Sequence, residues 1–318
     1  MKFPLSLAAV LPACVLALSA CSSVSPATGA ATGAAATTTA VPATAQDVRQ
    51  LGEIVDLRSG QRVTAEQLLV QLAGAPRVII GEQHDQLSHH QIEQWLLQQL
   101  QAQRPQGSVL LEMLNPDQQA KVDKVKPWLQ TDPVVRPEHV AELLAWQRNW
   151  KWEQYGDLVM TVMRAPYPVW SANLDRSEIK QLFVDKPAVQ GKHSNLANDG
   201  KVHAKLKDII RVMHDNQIDE PRLDAMLSVQ QQRDRRMAER LLAAPAPAVL
   251  IAGAYHAHKD LGVPLHVQDL TGGPVPLVLV LAQQGAAVAA PQADFVWFTP
   301  PVASAAAAAA AAAAVSAQ

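Results

Sequence analysis

The chain has 318 residues, with 27 basic against 29 acidic side chains, ten histidines and two cysteines. So even a charge balance supplies no basic surplus for nucleic acid, and two cysteines, both within the first 21 residues, exclude a disulfide framework or zinc–thiolate site in the body. The length suits one large domain once the low-complexity ends are set aside.

Residues 1–20 read as a secretory signal: Lys2, an apolar run, then Leu18-Ser19-Ala20 before Cys21. The run is too short and wrongly flanked for a transmembrane span. Leu-Ser-Ala-Cys resembles a bacterial lipobox, which implies cleavage before Cys21 and acylation of its thiol. Cys14 would leave with the signal. Ser22, where an inner-membrane protein would carry aspartate, favours the outer membrane of the cell envelope. Residues 21–47, rich in Ala, Thr, Ser and Gly, form the expected flexible, lipidated tether.

The folded body is expected over residues 48–300. Residues 54–63 read as a hairpin turning at Ser59-Gly60. Thr64 and Gln67 form a capping box before a helix. Short apolar runs follow at 77–81, 108–112, 168–172, 248–253 and 276–281. They lack polar alternation, as strands buried on both faces of a parallel sheet do. Helical patterns lie between them: Ile92, Trp95, Leu96 and Leu100; a start at Asn115-Pro116; Tyr155, Leu158, Val159, Val162 and Met163; and Met226, Val229, Arg233, Met237 and Leu241. Alternating strands and helices predict an α/β fold, a mostly parallel sheet flanked by helices. Polar residues 176–222 read as a helical cap inserted between two strands. Residues 301–318 are an Ala-rich tail with no amphipathic face to dock.

Ligands of open α/β sheets bind beyond the carboxyl ends of the strands. Glu82 and His84 follow the first run, Glu112 ends the second, Asn173, Asp175 and Arg176 follow the third, and Tyr255, His256 and His258 follow the fourth. Four strands thus deliver ionisable or hydrogen-bonding groups to one edge, which predicts a composite site. His89 and His90 fall at the start of the next helix, which Asp85 or Ser88 could cap. His90 reads as a solvated or capping residue; His89 fits that reading or the margin of the buried stripe equally.

Gly81-Glu82-Gln83-His84, Leu111-Glu112-Met113, Trp152 with Tyr155, Ala172-Asn173, Gln232-x-Asp234-x-x-Met237-Ala238 and Ala252-Gly253-x-x-His256 with Gly262-Val263-Pro264, in this order and at strand ends, resemble the ChaN-like haem-binding lipoproteins over residues 50–285. That family belongs to a wider superfamily with Tiki, TraB and erythromycin-esterase-like proteins. The resemblance implies a haem-binding lipoprotein of iron uptake, a binding protein more than an enzyme, with haem held between two protomers of a homodimer. The chain departs from the pattern at Tyr255, where glycine is usual, and so offers an extra candidate ligand. Tyrosinate and imidazole both ligate haem iron. Tyr255 and Tyr155 are therefore the candidate iron ligands, with His84 and His256 beside them. Glu82 and Glu112 would orient the histidines, and Asn173 and Arg176 would complete the haem site. Arg233, Arg235 and Arg236 are further candidates for pairing with propionates. Tyr167, at the start of a strand, reads as structural.

The alternative is a hydrolase in which Glu82, His84, Glu112 and His256 act as an acid–base or metal centre. Neither a Gly-x-Ser-x-Gly nucleophile turn nor a His-Glu-x-x-His pair accompanies it.

Overall fold

Leucine and β-branched runs that never alternate with polar residues fold as strands covered on both faces. The computed structural model describes residues 47–301. The expected signal, the Cys21 anchor, and all but the last residue of the tether and the first of the tail lie outside them.

The hairpin forms as expected from β1 (Glu53–Asp56) and β2 (Gln61–Val63), with Gly60 in its turn at φ 71°, a left-handed conformation that glycine takes freely. α1 (Ala65–Gly74) starts on the reciprocal Thr64–Gln67 capping box. β3 (Arg77–Glu82), α2 (Leu87–Gln103), β4 (Ser108–Leu111), α3 (Gln119–Leu129), α4 (Pro137–Leu143), α5 (Trp152–Arg164) and β5 (Val169–Ser171) follow. The inserted region before β6 (Ala248–Gly253) comprises α6 (Arg176–Asp185), α7 (Gly200–Met213) and the long α8 (Glu220–Ala243). α9 (Ala254–Ala257), α10 (Val263–Thr271), β7 (Leu277–Gln283) and β8 (Phe295–Thr299) complete the fold.

Among the described residues the strands make one sheet in the order β2-β1-β8-β7-β3-β6-β4-β5. Every pair from β8 to β5 is parallel, and the antiparallel pairs, β1–β2 and β1–β8, lie at one edge. Period-2 alternation sends Val78 and Ile80 to a core with Leu96, Leu100 and Leu158, and Ile79 to a second core with Met237, Leu241 and Val267. Helices therefore cover both faces, as expected for this class. Each fully buried leucine or isoleucine contributes roughly 1.5–3 kcal/mol. A third, small cluster of Leu206, Ile210, Leu223, Leu227 and Leu261 fixes the inserted helices to one another.

Four elements, α4, α9, α10 and β8, go beyond the sequence reading. β8 is parallel to β7, yet residues 284–294 join them without a helix, so the usual alternation of strand and helix does not announce it. The start of α2 also differs: neither Asp85 nor Ser88 caps it, and Gln86 occupies the cap position without a side-chain hydrogen bond.

Gly81 marks the point where β3 passes closest to α9. A Cβ there would lie 2.5 Å from Ala257 Cβ and 3.0 Å from Ala254 Cα. Gly81→Ala is expected to destabilise the protein by about 1–3 kcal/mol. The check is a lower urea midpoint at unchanged slope.

Candidate functional site

The carboxyl ends of β3 and β6 lie side by side, with Glu82 opposite Gly253. This register, with β4 on the far side of β6, brings the predicted strand-end groups together. Glu82 is almost fully buried. Its Oε1 accepts from the Tyr155 hydroxyl at 2.6 Å and lies 2.7 Å from His84 Nδ1; its Oε2 lies 2.8 Å from His90 Nε2. Burial raises the carboxyl, but hydrogen bonds from His84 and His90 outweigh it and hold Glu82 down at about 2.

Glu112 is equally buried. Its Oε2 accepts from the Gly253 N–H at 2.8 Å, and its Oε1 lies 3.4 Å from His256 Nε2. His84 Nε2 stands 4.0 Å from the same carboxylate. Burial is opposed here by His256, then by His84 and Arg233, which together hold the carboxyl far below its usual range. Gly253 leaves room for this meeting, because a Cβ would come within 2.8 Å of His84 Nε2.

His256 Nδ1 lies 2.5 Å from Asp234 Oδ1. Burial lowers this imidazole, yet Glu112 and Asp234 raise it to about 10. Asp234 itself is pushed up by burial despite the imidazolium. Glu112 is thus the anion that the cationic His256 secures most firmly. The groups form one alternating row: Tyr155, Glu82, His84, Glu112, His256, Asp234.

Glu82, His84 and His256 of this row line a cavity of about 360 Å³. Glu82, His84, Gln230, Arg233, Tyr255, His256 and His258 make its polar side. Leu206, Ile209, Ile210 and Met213 of α7 face Val280, Leu281 and Val288 across its apolar part. The inserted helices therefore do cap the strand ends, as the sequence suggested.

The predicted residues take different places. Tyr255 lines the cavity and is 46% exposed, its ring edge-on to His258 at 5.7 Å. Tyr155 does not line it. It is 1% exposed, behind Glu82 and among Trp146, Trp150 and His90. Burial, then the Glu82 charge, pushes its phenol far above the ordinary value of 10. Asn173 sits below the cavity wall: its Nδ2 donates to the Glu112 backbone carbonyl and its Oδ1 accepts from Arg233 Nε. Arg176 starts α6 and faces a separate surface depression with Asp117, Arg148 and Asp175, away from the site. Of the other arginines, Arg233 reaches the cavity, Arg236 pairs with Glu178, and Arg235 is buried. Tyr167 is structural, buried with the Lys126 ammonium 5.6 Å from its ring centroid.

His90 is a correction. It is neither solvated nor a cap, but 2% exposed and bound to Glu82. His89 is also buried; its Nδ1 accepts from the Gln83 N–H and its Nε2 meets Thr299 Oγ1, which ties the loop after β3 to β8. Asp234 stands in the motif Gln232-x-Asp234-x-x-Met237-Ala238, but its role at the site escaped the sequence reading, which puts Arg233 on the buried stripe of α8. The stripe runs through Asp234, Met237 and Leu241, so an acid at apolar spacing was the available signal.

The arrangement offers an exposed phenol, imidazoles of both protonation states, a guanidinium and an apolar wall. Asp234→Asn removes one of the two anions that raise His256. A raised imidazole stabilises the fold fully below its unfolded value near 6.5, and that contribution fades as pH rises through about 10. The substitution is expected to cost on the order of 3 kcal/mol at pH 6. The deficit should shrink steadily towards pH 10 in denaturant melts taken across that range.

Over residues 68–267 the chain matches the family described as "Haem-binding uptake, Tiki superfamily, ChaN". Among solved structures it is similar to one described as cofacial heme binding to ChaN of Campylobacter jejuni, with 27% identity and a TM-score of 0.71 over 79% of this chain and 97% of that one. Weaker likenesses are to the type III effector HopBA1 (12% identity, TM-score 0.43, 74% and 92% covered) and to an erythromycin esterase mutant in its open conformation (11%, 0.42, 79% and 82%). No curated protein matches the sequence.

Proposed function

The chain belongs to the haem-binding uptake family of the Tiki superfamily, ChaN, and from that premise we propose that it binds haem in the cavity beside Tyr255 and serves haem or iron uptake at a bacterial cell envelope. The observation that carries this reading is the pairing, in one cavity, of an exposed phenol and charged imidazoles with the apolar wall of α7. That combination suits a flat apolar macrocycle with an iron centre and two carboxylates.

Tyr255 is the proposed iron ligand. Its phenol reaches the cavity, whereas Tyr155 is shut behind Glu82 and resists losing its proton. A bound ferric iron would supply the Lewis acidity that lowers a coordinated phenol from about 10. Arg233, with Nε fixed by Asn173, presents its forked end to a propionate. His256 is held cationic by Glu112 and Asp234, and His84 is raised by Glu82 and Glu112, so both are proton donors at the polar side. His258 stays neutral, since burial lowers it to about 4, and it packs against the edge of the Tyr255 ring.

Tyr255 lies half-open at the cavity that Met213 also lines, and Met213 is 68% exposed on the cap. A second copy covering this mouth would give haem bound between two protomers, in keeping with the cofacial binding described for the Campylobacter jejuni relative. The anchor is proposed at Cys21, from the Leu-Ser-Ala-Cys pattern alone, with the outer membrane favoured over the inner. Among the described residues no helix is long and apolar enough to cross a membrane.

Hemin titration tests the site. Tyr255→Phe should change the absorption spectrum of the complex, while Tyr155→Phe should leave it unchanged. Arg233→Ala should keep the spectrum and weaken binding by about 10–100-fold, the usual effect of losing a supporting group. Hemin should also double the mass measured by light scattering. Unchanged spectra and affinity in Tyr255→Phe would remove the proposed ligand. For the anchor, Cys21→Ala should lose a metabolic acyl label that the unaltered protein carries; label retained on the variant would sink it.

A further inference from the structure

We propose that Glu82, His90 and Glu93 form a buried site for a divalent first-row transition cation, behind the cavity and joined to it through Glu82. His90 and Glu93 lie three residues apart on α2, so they share one helix face. That face meets the carboxyl end of β3, which brings in Glu82. One ligand atom from each residue lies within 4.8 Å of the other two, and all three side chains are buried.

Hydrogen bonding accounts for only part of this cluster. Glu82 uses one oxygen on His84 and Tyr155 and the other on His90. Glu93 uses neither: Oε1 and Oε2 are both buried and have no hydrogen-bond partner in the protein, and His90 Nδ1 has none. A buried polar group left unpaired costs about 1–3 kcal/mol. Glu93 is fully covered, so a wholly unpartnered carboxyl there is a poor structural choice. A cation would satisfy both oxygens and offset the carboxylate charges.

The geometry suits such an ion. Ligand bonds of about 2.0–2.2 Å place tetrahedral donors roughly 3.3 Å apart. The separations here, from 2.8 Å between Glu82 and His90 to no more than 4.8 Å, bracket that spacing. One imidazole with two carboxylates selects zinc, iron(II) or manganese over the all-oxygen preference of calcium and magnesium. Tyr155 closes the site on one side, its ring stacked on His90 at 4.0 Å.

The test uses the full chain, stripped with chelator, freed of hemin and titrated with zinc chloride and then manganese chloride. Bound metal is counted by mass spectrometry, and thermal midpoints are recorded. One equivalent and a raised midpoint are expected. Glu93→Gln and His90→Gln should each lose both effects, with hemin binding by Glu93→Gln unchanged. Glu112→Gln should keep the equivalent. Metal lost in Glu112→Gln but kept in Glu93→Gln would move the ion to the strand-end histidines and overturn the proposal, as would no metal in the unaltered chain. If the α2 variants do not fold, zinc-soaked crystals of the unaltered protein decide. An anomalous peak among Glu82, His90 and Glu93 supports the site; a peak elsewhere, or none, removes it.

Discussion

A carboxylate buried as completely as that of Glu112 has to be matched by hydrogen bonds and positive charge. The carboxyl edge of the sheet is arranged around that need. Gly253 gives a backbone N–H, His256 gives charge at 3.4 Å, and His84 stands at 4.0 Å. His256 is then fixed from behind by Asp234, and His84 by Glu82. Strands β3, β4 and β6 and helix α8 each contribute one part, so the relative positions of four elements are set by a single run of charges. Removing any one member leaves its neighbour buried without its counter-charge.

The histidines of this edge show how local surroundings divide one residue type into two chemistries. His89 and His258 are covered without a carboxylate in contact, and burial lowers both to about 4. His84 and His256 face carboxylates, which raise both against the burial that lowers them. Burial alone thus leaves a ring neutral, as in His258, while facing carboxylates keep His256 cationic, and both rings line the cavity.

How far the sequence revealed this follows from the range over which each signal acts. Glu82, His84, Glu112, Tyr255 and His256 directly follow or end apolar runs, and the strand-end rule needs only local pattern. The strand-end rule puts Tyr255 narrowly ahead of Tyr155, but it does not reveal the depth of Tyr155, which Glu82 and His90, from a distant part of the chain, close off. His90 in the first turn of α2, and Glu93 and Asp234 further along their helices, have mostly polar sequence neighbours. Whether such a polar residue faces inwards depends on which helix face the tertiary packing selects. β8 escaped because its crossover lacks a helix, although Trp297, buried at its centre, is among the largest core residues.

The edge hairpin bears on how the fold is reached during synthesis. β1 joins the parallel strands only through β8, with Glu53 paired to Phe298. The first strand made must therefore wait for the last, and closing so long a loop is entropically slow. Until then the hairpin has its partner edge open, and such edges invite pairing with other chains. On the ribosome the nascent chain can assemble β3, β4, β5 and β6 early, but the far side of the sheet is sealed only once β8 has emerged.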